Sequence, residues 1–95
     1  MLIFLKERII DELKDALTYM EKAVENKHKP CGIVMYNLAA EELSHANRLL
    51  KTFRVMDKPN NVTDVEYSTM LKSILDAYSD DMNKFEAMKK VYWSE

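Results

Sequence analysis

The chain has 95 residues, of which 47% are hydrophobic and 32% charged, and its formal net charge is −2. This length suits one domain, and we expect a single helical domain over residues 1–95. Lys and Arg are scattered rather than clustered, so no nucleic-acid partner is expected. The single Cys31 excludes an internal disulfide and favours a reducing, cytoplasmic setting. The apolar start at residues 1–5 is too short for a secretory signal or a membrane span.

Apolar spacing predicts a first helix over residues 3–26. One Gly and two Pro in the whole chain already favour long helices with few turns. The apolar positions recur at intervals of three and four residues, namely Ile9, Leu13, Ala16, Met20 and Ala23. Glu12 and Tyr19 lie beside this line and, being seven apart, on the same side of the helix. The polar segment 26–29 then predicts a turn.

Two further helices follow. Pro30 fits the first position of a helix over residues 30–56, because its missing N–H would be unpaired there in any case. One line of this helix carries Leu38, Glu42, His45, Leu49 and Phe53. After a Pro- and Asn-containing turn, Thr63 and Glu66 form the pattern of a capping box. This pattern predicts a third long helix over residues 64–92, so the fold class is all-α: a helical hairpin plus a third helix.

The most informative motif is Glu42-x-x-His45, read together with Glu12. Glu42 and His45 are three apart, so they share one helix face, and that face is otherwise apolar. A carboxylate and an imidazole are costly to bury in such a stripe unless something compensates them, and a metal ion is one such compensation. A Glu-x-x-His on one helix and a Glu on its neighbour make half of a carboxylate-bridged di-metal site.

The chain spacing places these residues at one level. The midpoint of positions 12 and 42 is residue 27, which lies in the only polar break between the first two helices. In an antiparallel hairpin, Glu12 and Glu42 therefore face each other. A displacement by one turn would separate them by roughly 5 Å and spoil a shared site. Carboxylate oxygens with few nitrogens favour iron, with manganese as an alternative, over structural zinc.

One chain supplies only half of the ligands. The third helix contains no His, and none of its carboxylates begins a Glu-x-x-His motif. Symmetry is the economical completion, since two chains about a two-fold axis would each give Glu12, Glu42 and His45. We therefore expect a homodimer or higher homo-oligomer, in which two hairpins form a four-helix bundle with two metal ions at the interface.

With these residues, the chain resembles the ferritin-like di-iron proteins, and it is most similar to the short encapsulated ferritins. Glu12, Tyr19, Glu42 and His45 carry the resemblance, which covers roughly residues 5–56. It implies iron binding and oxidation of ferrous iron by oxygen or peroxide, with Tyr19 beside the centre. It also implies that Glu42 bridges the metals while Glu12 and His45 ligate them, and that Asp11 and Asp15 resemble metal-entry carboxylates.

Other interpretations of the same residues stay open. The segment 89–95 does not look like the family's C-terminal docking peptide, so a protein shell is a partner without a visible targeting signal. Tyr19 also fits a packed core aromatic, and Glu42 and His45 could face solvent or pair with Arg or Lys. The competing function is a non-catalytic helical adaptor or assembly protein without metal. A related di-metal peroxidase, catalase or oxygenase is a third reading.

Overall fold

The computed structural model describes residues 1–95 and consists of three helices. They are α1 (Leu2–Glu25), α2 (Pro30–Val55) and α3 (Asp64–Trp93). Each helix begins and ends within one residue of the bounds predicted from the sequence, and the chain contains no strand. The all-α prediction is confirmed. None of the helices has a stretch that is long and apolar enough to cross a membrane.

α1 is the central helix, because it packs against both α2 and α3. Its buried apolar residues follow the predicted line and extend it towards the N-terminus: Leu2, Leu5, Ile9, Leu13, Ala16, Met20 and Ala23. The buried residues of α2 lie seven apart, at Gly32, Ala39, Ala46 and Phe53. Three of these four are Gly or Ala, and such small residues allow the two helix backbones of the hairpin to approach closely.

The turn between α1 and α2 depends on two unusual positions. His28 adopts a left-handed backbone conformation with φ of 72°, which reverses the chain after α1. Pro30 occupies the first turn of α2, as predicted. Gly32 then lies against the end of α1, and a Cβ atom at this position would be 2.3 Å from the carbonyl oxygen of Asn26. The hairpin therefore closes only because residue 32 has no side chain.

α3 begins at the predicted capping box. The Thr63 side chain accepts from the backbone N–H of Glu66 at 3.0 Å, and the Glu66 side chain accepts from the N–H of Thr63 at 3.1 Å. α3 buries Ile74 and Phe85. At its far end, Lys27 of the hairpin turn donates to the Val91 carbonyl oxygen at 2.8 Å. These contacts align α3 along the hairpin over its whole length.

The molecule is thin and leaves much of its apolar surface in water. It measures 52 × 18 × 15 Å, and only 14 of its 95 residues are buried. Large apolar side chains are exposed, among them Phe4 at 57% and Val65 at 76%. A chain with so small a core gains stability when another surface covers it.

Replacing Gly32 with Ala should destabilise the protein, although Ala is the better helix former. Ala in place of Gly gains up to about 1 kcal/mol in a helix interior. Here the added methyl group would collide with the Asn26 carbonyl, and such overpacking costs about 1–3 kcal/mol. Urea unfolding followed by circular dichroism should therefore show a net loss. Asn37→Ala, at an exposed position of α2, is the control and should not lose stability. A stabilised Gly32→Ala variant would refute the close contact.

Candidate metal centre

Three of the residues predicted for the site meet at one level of the hairpin. Glu12 comes from α1, and Glu42 and His45 come from consecutive turns of α2. One oxygen of each carboxylate and one nitrogen of the imidazole all lie within 4.8 Å of one another. Glu12 and Glu42 face each other across the two helices, which confirms the alignment predicted from the midpoint at residue 27.

The three side chains differ in burial, and this corrects the expectation of an apolar stripe around all of them. The side chain of Glu12 is 9% exposed, that of Glu42 is 21% exposed, and that of His45 is 49% exposed. α2 turns the line of Ala39 and Ala46 towards α1. The Glu42–His45 pair therefore lies at the edge of the hairpin, where the site opens to solvent.

The two oxygens of Glu12 have different surroundings. Oε1 accepts a hydrogen bond from the guanidinium of Arg8, one turn earlier on α1. Oε2 is buried and has no hydrogen-bond partner when both carboxylates are ionised. Nδ1 of His45 lies 3.7 Å from Oε2, and the same nitrogen is 3.6 Å from Oε1 of Glu42. A buried carboxylate oxygen without a partner is costly, and a cation among these atoms would compensate it.

Because the two carboxylates are close together, their pKa values shift in opposite directions. A hydrogen bond to Glu12, desolvation and the negative charge of Glu12 together raise the pKa of Glu42 to about 7. The same hydrogen bond, aided by Arg8, holds the pKa of Glu12 below its ordinary value. In the absence of a cation, Glu42 therefore carries a proton over much of the acidic range while Glu12 is ionised. A metal ion that binds both carboxylates displaces this proton.

The donor set fits a hard or borderline divalent metal. Two carboxylates and one imidazole suit iron or manganese, and the only Cys of the chain is exposed Cys31, which is not part of the group. The group also differs from an ordinary cluster of exposed acidic residues. One of its carboxylate oxygens, Oε2 of Glu12, is buried and has no hydrogen-bond partner when both carboxylates are ionised. If all three side chains held one ion, coordination positions would stay open, as in catalytic metal sites.

The other candidate residues lie elsewhere. Tyr19 is two turns further along α1 and packs, partly buried, against the core cluster of Ala16, Met20, Ala23, Ala39 and Phe85. No carboxylate of α3 joins the Glu12–Glu42–His45 group. Asp76 of α3 instead pairs with Lys72 at 2.7 Å.

Arg8 also belongs to the site, although it was not predicted from the sequence. It forms ion pairs with Glu12 and, at 3.8 Å, with Asp11. The signal was available, because Arg8 and Glu12 are separated by the four residues that bring side chains together on a helix. Arg8 also lines a shallow depression of about 310 Å³ beside the site, whose other lining residues are Phe4, Glu12, His45, Arg48 and Leu49.

Comparison with models of known protein families, with curated proteins and with solved structures finds no match to this chain. The resemblance to ferritin-like proteins therefore stays a prediction that rests on the pattern of Glu12, Glu42 and His45.

The raised pKa of Glu42 predicts that the metal-free protein loses stability as the pH rises from 4.5 to 7. In this window the folded protein retains a proton on Glu42 that the unfolded chain, with the ordinary pKa of 4.5, has released. The folded state thus binds more protons, so the free energy of unfolding falls with pH, by an amount on the order of 2 kcal/mol.

Urea unfolding of chelator-treated protein at several pH values measures this loss, with Glu42→Gln as the comparison. Gln cannot ionise, so the variant should lack the part of the pH dependence that Glu42 contributes. Groups that do not contact residue 42 have the same surroundings in both proteins, so their contributions cancel in the difference. Parallel curves for the two proteins would contradict the prediction.

Proposed function

We propose that this protein binds iron at a site shared between two copies of the chain and oxidises ferrous iron, with oxygen or peroxide as the electron acceptor. The observation that carries the proposal is the buried Oε2 of Glu12, which faces Glu42 and His45 and has no partner when both carboxylates are ionised. A cation is the partner that this oxygen then lacks. Iron is then both the bound metal and the substrate.

The side chains would divide the work according to their position. Glu42, whose exposure lies between those of Glu12 and His45, would bridge two metal ions, as the resemblance to ferritin-like proteins implies. Glu12 offers Oε2, and His45 offers one imidazole nitrogen. Iron supplies the one-electron redox chemistry, and the carboxylates neutralise the charge that each ion gains as it passes from ferrous to ferric. Ions and oxidant would reach the site on the side of His45, whose side chain is half exposed.

The same geometry supports a dimer. Glu12, Glu42 and His45 are half of the ligand set of a di-metal centre in a four-helix bundle. They lie at an open edge of the hairpin beside Phe4, which is 57% exposed in the adjoining depression. A second copy related by a two-fold axis would supply the missing ligands and cover this apolar residue, so that two irons would lie between two chains.

Glu42→Ala and His45→Ala should abolish ferrous oxidation without unfolding the protein. Each variant removes a ligand, and the metal-free Glu42 variant also loses a repelling charge, so little stability should be lost. The protein is loaded with ferrous iron without oxygen, and the growth of ferric absorbance after oxygen or peroxide is added measures activity. Glu41→Ala, an exposed carboxylate on the neighbouring position of α2, should retain the wild-type rate.

Thermal melts with and without ferrous iron complete this test. Iron should raise the wild-type midpoint, because a ligand that binds only the folded state stabilises it by mass action. It should not raise the midpoints of the two ligand variants. Elemental analysis should find about one iron or manganese per chain. Persistent absence of metal after anaerobic loading would refute the di-iron proposal.

Phe4→Glu should convert a dimer into a monomer and weaken metal binding at the same time. An ionised side chain at this position would be buried in the proposed interface and would oppose association. Light scattering measures the mass, and elemental analysis measures the metal. Val65→Glu, an equally drastic change at a residue that is 76% exposed on α3, is the matched control and should leave both unchanged. A wild-type monomer that binds two irons tightly would contradict a shared site.

One observation favours the alternative function, a metal-free helical adaptor or assembly protein. Arg8 already neutralises Glu12, and His45 lies within 3.7 Å of Glu12 and 3.6 Å of Glu42. The group could thus be a structural ion-pair network. In that case Glu42→Ala and His45→Ala would each remove a partner of the buried Glu12 and destabilise the metal-free protein. Because His45 is half exposed, the loss would be smaller than the about 3–5 kcal/mol of a fully buried pair. A wild-type thermal midpoint that iron does not change, together with such losses of stability in the two variants, would favour the adaptor.

A further inference from the structure

We propose that Arg8 is a built-in counter-cation of the Glu12–Glu42–His45 site, which holds Glu12 ready when no metal is bound and keeps the metal exchangeable. This inference rests on the proposed metal-binding function. It assigns to Arg8 a positioning and affinity-setting role that the ligand pattern does not contain.

The first support is the way in which Glu12 is held. Its side chain is 9% exposed, and its Oε1 atom is bound by the Arg8 guanidinium. This ion pair fixes the carboxylate so that Oε2 faces Glu42 and His45. With Oε1 engaged by Arg8, Glu12 can offer a metal one oxygen, and chelation by both oxygens requires that Arg8 leave.

The second support is the charge balance. Without Arg8, two ionised carboxylates would face each other beside an imidazole. The positive charge of Arg8 neutralises the carboxylate of Glu12. Because that carboxylate is buried, this pairing stabilises the metal-free protein. The same positive charge repels a divalent metal at the neighbouring oxygen. Arg8 therefore favours the empty site and opposes the filled one.

The magnitudes decide the sign of the net effect on affinity. Packing already restricts the Glu12 side chain, which is 9% exposed, so Arg8 saves only part of its conformational entropy and favours binding by about threefold. Repulsion between a guanidinium and a dication across one carboxylate is larger. Because the Arg8 side chain is 41% exposed, solvent screens this repulsion to roughly tenfold in Kd. Repulsion wins, and Arg8 weakens metal binding overall.

This balance suits a site through which metal passes. An iron-oxidising centre must release its product before it takes up the next ferrous ion, and a resident cation that re-pairs with Glu12 assists the release. A site that retains one metal permanently would gain from having no cation at position 8.

Binding of Mn²⁺ tests the proposal without redox turnover. Titration into the chelator-treated protein at pH 7.5, followed by the loss of the aqueous Mn²⁺ electron-spin signal, gives Kd. Arg8→Gln keeps the hydrogen-bonding capacity and removes the charge. We expect Kd to fall by roughly tenfold and the thermal midpoint of the metal-free protein to fall as well. Lys14→Gln removes an equal charge at an exposed position of α1 and should change neither quantity more than about twofold.

Arg8→Lys separates charge from geometry. Lys retains the charge but not the planar fork that grips a carboxylate, so Kd should stay within about twofold of the wild-type value. An unchanged or higher Kd in Arg8→Gln would overturn the role of Arg8 while leaving the metal site intact. Equal tightening in both Arg8 variants would overturn it too. If neither wild type nor Arg8→Gln binds Mn²⁺ or Fe²⁺, the metal site itself fails, and this inference with it.

Discussion

The carboxylate of Glu12 is the constraint on which the site depends, because it is the only charged group among the buried residues. It lies on the central helix, in the seam where α1 meets α2, so water cannot solvate it fully. Its compensation must come from neighbours: Arg8 on one oxygen, and the Glu42–His45 pair or a cation at the other. Every feature of the site follows from how this one buried charge is balanced.

The local rules of helices explain why so much of the fold could be predicted. Apolar spacing fixed the helix bounds to within one residue, and the capping box at Thr63 and Glu66 lies where its sequence pattern indicated. The facing of Glu12 and Glu42 was also predictable, because a short turn leaves a hairpin only one alignment in which equal chain distances lie side by side. Helix bounds, caps and the alignment of a short hairpin all depend on residues that are near one another along the chain, so they can be predicted from the sequence.

Properties that depend on the rotation and packing of whole helices were not predictable in the same way. Two adjacent lines of α2 are apolar, and the sequence does not say which one faces α1. In the structure the line of Ala39 and Ala46 faces α1, because these small residues allow the two backbones to approach closely. His45 is turned towards solvent as a result. The packing of α3 against α1, which keeps its carboxylates out of the site, is likewise a tertiary outcome.

The open position of the site links metal binding to assembly under the proposed function. A site enclosed within one chain would bind metal independently of protein concentration. Here Glu42 and His45 stand at an edge that a second copy would cover, so each metal ion would contact ligands from both chains. By linkage, metal would then stabilise the dimer and the dimer would tighten metal binding by the same factor. The repulsion between carboxylates brought together at the interface would oppose association of the metal-free chains, and iron would relieve it. Within one chain, Arg8 offsets the unfavourable free energy of burying the charge of Glu12. In the dimer, metal would have to offset the charges of the carboxylates from both chains, so assembly would depend on metal.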